Sequence, residues 1–82
     1  MVQLILYTSS ECIRCRLVKQ MLQAHDVQYE EITDNKPLMM EIGLQEVPAI
    51  EVDGKIIDTY PNVLGWLQDK GYYSKRGIYE DN

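Results

Sequence analysis

Cys12 and Cys15 are the only cysteines in the chain, and Ile13 and Arg14 separate them. Two thiols at this spacing have two chemistries open to them: exchange with a disulfide, or ligation of a metal. A purely structural bridge is the weaker fit. Closing so short a loop removes little chain entropy, and small disulfide-stapled domains spread more cysteines over longer loops. Structural zinc needs four ligands, and beyond the two cysteines the chain offers only His25, about one helix length away. A metal or iron–sulfur centre shared between two chains stays open, as does the plain alternative of two unreactive core cysteines.

The elements around the pair favour exchange. Val2-Gln3-Leu4-Ile5-Leu6-Tyr7 is β-rich and nearly all apolar, as expected of a strand covered on both faces. Thr8-Ser9-Ser10 supplies turn and cap chemistry, and Glu11 suits a helix N-terminus. From about Cys12 to Ala24 the pattern is helical, with Leu17, Met21 and Ala24 in one stripe beside Val18 and Leu22. Cys12 therefore opens a helix, where unpaired backbone N–H groups and the helix dipole favour its thiolate, the reacting form. Arg14 and Arg16 act in the same sense and Glu11 against it, so a modestly acidified thiol is expected. Cys15, one turn deeper, is placed as a shielded resolving thiol.

The rest of the pattern supplies a scaffold. Val27 to Ile32 reads as a second strand. Asp34 or Asn35 caps a short helix with Pro37 in its first turn, running through Leu38-Met39-Met40-Glu41-Ile42 to Gly43. Asp53-Gly54 between Ala49-Ile50-Glu51-Val52 and Lys55-Ile56-Ile57 predicts a two-residue hairpin. Pro48 cannot donate to a ladder and belongs at a strand's first residue. Pro61 opens a last helix over about Asn62 to Asp69, burying Val63, Leu67 and Trp66, its expected anchor, with Gly71 after it. The order is β-α-β-α-β-β-α, an α/β domain over residues 1–71 followed by a tail, 72–82. In that tail Tyr72, Tyr73, Lys75, Arg76 and Tyr79 suit docking to a partner or folding back. His25 is expected to meet the first helix's dipole, and Met39 and Met40 to fill core and surface.

Composition narrows the function classes. The chain has 82 residues and a formal charge of −5, which allows one domain and argues against general nucleic-acid or anionic-membrane binding. The opening apolar run is too short for a signal peptide or membrane span. A cytoplasmic monomer is the expectation.

Two strings together carry a family resemblance: Leu6-Tyr7-Thr8-x-x-x-Cys12-x-x-Cys15, and Glu46-Val47-Pro48-Ala49-Ile50-x-Val52-Asp53-Gly54-Lys55. Over about residues 2 to 70 the chain resembles the glutaredoxins, especially the small glutaredoxin-like redoxins that supply electrons to ribonucleotide reductase. The resemblance implies a thioredoxin fold, a four-stranded mixed sheet flanked by three helices. It also implies a dithiol–disulfide oxidoreductase acting on protein disulfides, with Cys12 as nucleophile, Cys15 as resolving thiol and Pro48 as a cis-proline facing them. Val47 would offer its backbone to an extended substrate, with Arg14, Tyr7, Asp58 and Thr59 on the substrate side, although the plain reading of Tyr7 is core packing. No bound cofactor or metal is implied; electrons come from glutathione or from thioredoxin reductase.

Two departures bear on that choice. Glutathione-using members carry Lys-Pro-Gly before the first cysteine, where this chain has Ser9-Ser10-Glu11. They also carry Gly-Gly-x-Asp-Asp before the last helix, where this chain has Asp58-Thr59-Tyr60-Pro61-Asn62, with Asp58 left to meet a glutathione ammonium. Val47 to Ile50 and the hairpin are also similar to the N-terminal domain of glutathione transferases, which keeps a non-catalytic glutathione-binding module as an alternative.

Overall fold

Residues 3–73 are described in the computed structural model, so Val2, Lys75, Arg76 and Tyr79 lie outside the described residues. The elements are β1 (Leu4–Thr8), α1 (Ile13–Ala24), β2 (Glu30–Thr33), α2 (Lys36–Glu41), β3 (Ala49–Val52), β4 (Lys55–Ile57) and α3 (Tyr60–Lys70). Their order is the one the sequence pattern predicts. The strands lie β2-β1-β3-β4, with β1–β2 parallel and the other two pairs antiparallel. This is the thioredoxin fold, a mixed sheet with three helices.

Alternation along the strands divides the sheet into two faces. Leu4 and Leu6 of β1 share one face with Ile50 of β3, and they form a single buried cluster with Val18, Met21 and Leu22 of α1 and Val63 and Leu67 of α3. That cluster is why α1 and α3 lie together on one side. Tyr7 and Ala49, paired across β1 and β3, are buried on the opposite face. The Tyr7 hydroxyl donates to Glu51 Oε1 at 2.9 Å. Burial first, then that hydrogen bond and the charges of Glu51 and Glu30, push the Tyr7 pKa up to about 12.

Local chemistry sets the turns. Asp53 and Gly54 both have positive φ, 50° and 85°, as a tight hairpin with the native strand twist requires. Asn35 caps α2, its Oδ1 accepting from Leu38 N–H at 3.2 Å, and Gly71 ends α3 in the left-handed conformation.

The structure departs from the sequence pattern in three places. The second strand is Glu30–Thr33 and not Val27 to Ile32, because pairing to β1 fixes the register from Ile5↔Glu30 to Thr8↔Thr33. Ala24 is exposed, since α1 buries the face carrying Cys15, Val18, Met21 and Leu22 and Ala24 lies off that face. The rest of the expected stripe holds, with Leu17 half-buried against the cluster. Trp66 is not the anchor of α3: Val63 and Leu67, 0% and 1% exposed, hold the core, and half-buried Trp66 packs its ring 5.9 Å from Tyr72. Just past Gly71, Tyr72 and Tyr73 fold back, one of the two outcomes expected of them: both donate backbone N–H groups to Leu67 O and pack on the cluster.

Two expectations follow. Leu6→Ala should cost about 3 kcal/mol, the usual price of a cavity in a site that cannot collapse, read as a lower urea midpoint. Tyr7 holds its proton more tightly folded than unfolded, where its pKa is about 10. Stability should therefore be flat below pH ~10 and fall between about 10 and 12, and Tyr7→Phe should remove that part of the alkaline loss in a urea-midpoint series against pH.

Candidate active site

The turn after β1 carries the two cysteines, and a carboxylate fixes its shape. Asp34, at φ 57°, donates its N–H to Thr8 O at 3.0 Å and accepts the Ser10 N–H on Oδ1 at 3.1 Å. Thr8 itself is buried, and its hydroxyl donates to Glu31, which also takes Thr33 Oγ1 and pairs with Lys19 Nζ of α1 at 3.1 Å. Burial would raise the Glu31 pKa, but the hydrogen bonds from Thr8, Lys19 and Thr33 and the charge of Lys19 outweigh it and hold the carboxyl below its usual range. The start and first half of α1 are thereby tied to the edge of the sheet.

No serine or threonine caps α1. Cys12 does, in an extended conformation, and its Sγ accepts the Cys15 N–H at 3.0 Å. The sulfur occupies the place where a cap oxygen would satisfy an orphan helix donor. Cys12 is half-buried and Cys15 is 1% exposed. The two are joined as a disulfide, with Cα atoms 5.2 Å apart. Of the two residues between them, Ile13 is 73% exposed, and Arg14 lays its guanidinium 5.0 Å from the centroid of the Tyr60 ring at the start of α3.

Sheet register brings the other loops to the same end. Tyr7 lies opposite Ala49, so the next step along each strand puts Thr8 and Pro48 side by side. Ile57, opposite Ile50, ends β4 there too and delivers Asp58 and Thr59. The Val47–Pro48 peptide is cis. Pro48 is fully buried, while Val47 and Ser9 border a common groove of about 220 Å³ with Met39 and Leu44. Asp58 spans the gap between the loops, its Oδ2 accepting the Gln45 N–H at 3.2 Å.

Among the residues the sequence nominated, Cys12, Cys15, Val47, Pro48, Arg14, Asp58 and Thr59 thus gather at one end of the sheet. Tyr7 sits on the face opposite α1 with its hydroxyl committed to Glu51. Two participants had no sequence signal. Tyr60 falls on the unrestricted position of Gly-Gly-x-Asp-Asp, and Gln45 contributes a backbone group that any residue but proline supplies. Thr59 is the unusual member: it caps α3 at φ 69°, ψ 143° without a side-chain cap bond. That region is nearly closed to β-branched residues, and Thr59 stands where the second glycine of Gly-Gly-x-Asp-Asp would.

A dithiol pair at a helix N-terminus beside a cis-proline, on a thioredoxin fold, defines a thiol–disulfide oxidoreductase. A family model for glutaredoxin matches residues 4–57, more than half of the chain, and the chain belongs to the glutaredoxin family. Among solved structures it is similar to glutaredoxin 1 from Francisella tularensis, at 19% identity and TM-score 0.70, with 85% of this chain and 95% of that one covered. A thioredoxin-like protein superposes with TM-score 0.68 at 25% identity, over 82% and 97% of the two chains. A Nu-class GST from Haemonchus contortus superposes with TM-score 0.72 at 24% identity, over 92% of this chain but 39% of that one. A stretch of 37 residues is 46% identical to part of the glycine–tRNA ligase beta subunit of Shouchella clausii, 45% of this chain and 5% of the ligase subunit. Both larger proteins extend far beyond the shared part, and their activities do not carry over. Among the described residues no helix is long and apolar enough to cross a membrane.

Replacing Thr59 by glycine should relieve the left-handed backbone and raise stability by about 1 kcal/mol, within the ~1–3 kcal/mol such residues cost; differential scanning calorimetry would show it as a higher Tm.

Proposed function

We propose that this protein reduces disulfides in other proteins, and that Cys12 is the attacking thiol and Cys15 the resolving one. The observation that carries this reading is the unequal exposure of two bonded sulfurs, one capping a helix at the surface and one sealed beneath it. In the reduced protein the Cys12 thiolate attacks a sulfur of the target disulfide. One target thiolate leaves and takes a proton, and a mixed disulfide forms. Cys15, losing its proton, then attacks Cys12 Sγ, the second target thiol departs, and the Cys12–Cys15 bond is made. Two electrons pass to the target and the protein is left oxidised. The Cys15 N–H that meets Cys12 Sγ and the positive end of the helix dipole lower the cost of the thiolate at both stages.

The extended segment carrying the target disulfide would pair with the Val47 backbone beside cis-Pro48, as a single added strand. For the electron source we favour thioredoxin reductase over glutathione. Ser9-Ser10-Glu11 offers no basic group where glutathione-using members carry lysine, and the Asp58 carboxylate already accepts the Gln45 N–H. The resemblance to the redoxins makes ribonucleotide reductase the substrate to test first, in the cytoplasm and as a monomer.

Cys12→Ser should abolish insulin reduction, and Cys15→Ser should accumulate a mixed disulfide visible on a non-reducing gel. Wild-type insulin turnover by Cys12→Ser would remove the assignment. In an NADPH-coupled assay, turnover is expected with thioredoxin reductase; turnover only with glutathione and glutathione reductase would reverse the choice of donor.

A further inference from the structure

The residues between the two cysteines differ in what they offer a partner. Ile13 projects an apolar side chain into solvent beside the reactive bond, and Arg14 is laid on an aromatic ring of another element. A guanidinium over a tyrosine face is held there by the ring's negative quadrupole. More important is what stacking does to its freedom. A loose arginine samples many rotamers and gives up that side-chain freedom when it is fixed. Resting on Tyr60, the plane is held and the N–H edges stay available at its rim. That is a prepared receptor for a carboxylate, which a guanidinium takes with two parallel N–H bonds.

The charge pattern points the same way. Of 13 acidic residues none falls between Cys12 and His25, whereas Arg14, Arg16 and Lys19 all do. Lys19 is spent on Glu31. Arg14 and Arg16 flank Cys15 on a protein whose net charge is −5, so the positive potential nearest the disulfide comes from the start of α1. Glu11 before Cys12 and Asp58 in the facing loop are acidic, so any preference for an acidic group is local to the Arg14 guanidinium and not to the whole end of the molecule.

We propose that Arg14, seated on Tyr60, selects protein substrates carrying an aspartate or glutamate next to the target cysteine. This rests on the disulfide-reductase reading above and adds the substrate class. Arg14 touches the substrate; Tyr60 is a positioning residue that acts through Arg14.

The test uses two disulfide-linked peptides identical except for Glu or Gln directly before the cysteine, with glutathione disulfide as a third substrate. The wild type should favour the Glu peptide by about fivefold in kcat/KM at low salt, the worth of one exposed ion pair, chiefly through KM, with the ratio falling as salt rises. Arg14→Gln should bring the ratio to one, Arg14→Lys should keep part of it, and Tyr60→Leu should lower it while Arg14 is intact. Because Arg14 is exposed, its variants test the idea even if Tyr60→Leu folds poorly. Equal turnover of both peptides by the wild type, or a preference that survives Arg14→Gln, overturns the inference and leaves disulfide reduction standing. An Arg14 effect confined to glutathione disulfide also overturns it, by assigning the carboxylate to glutathione. Reduction of neither peptide fails the underlying function, and the inference with it.

Discussion

A helix cannot satisfy its own first N–H groups, and in this protein a sulfur atom meets that need. The Cys15 N–H bonds Cys12 Sγ where other helices place a serine, threonine or aspartate oxygen. One contact has two consequences. It starts α1, and it sets the Cys12 sulfur in a field that prefers negative charge. The chemistry of the site and the folding of its helix are thus the same interaction, which is why the spacing of the cysteines cannot change without moving the helix.

The remainder of the fold keeps that sulfur in company. Ridges of α1 and α3 share one apolar face of the sheet through Leu6 and Ile50, so the N-termini of both helices reach the same end of the molecule. Antiparallel pairing of β1 with β3 then brings the residue before α1's turn level with cis-Pro48. Polar side chains finish the work across the loops. Asp34 holds Ser10, Asp58 holds Gln45, and Glu31 joins Thr8 to Lys19. None of these carboxylates need act on a substrate, yet each fixes the backbone on which the site is built. Thr59 adds the reverse case, a β-branched residue in a backbone region suited to glycine, at the junction where α3 meets the site.

Much of this was legible in one dimension. Strand and helix periodicity, Asp53-Gly54, Asn35 before Pro37, and Gly71 all act over a few residues, so their outcome is written locally and the element order could be read directly. The two cysteines and Val47-Pro48 were legible as a pair of motifs, and the family resemblance rests on the same residues. Ala24 and Trp66 were misread because a helical stripe tells which residues could face a core, not where that core ends.

By itself, then, the sequence determined the elements, their turns, and the presence of a dithiol at a helix start, since each depends on neighbours within a turn or a strand. Tertiary structure alone decided which groups meet across the chain: Arg14 with Tyr60, Asp58 with Gln45, Tyr7 with Glu51. Those pairs are separated by 13 residues or more in the two hydrogen bonds, and no local propensity encodes them. They exist because strand register and a shared apolar face bring distant backbone to one place, and only there can a charge find its partner.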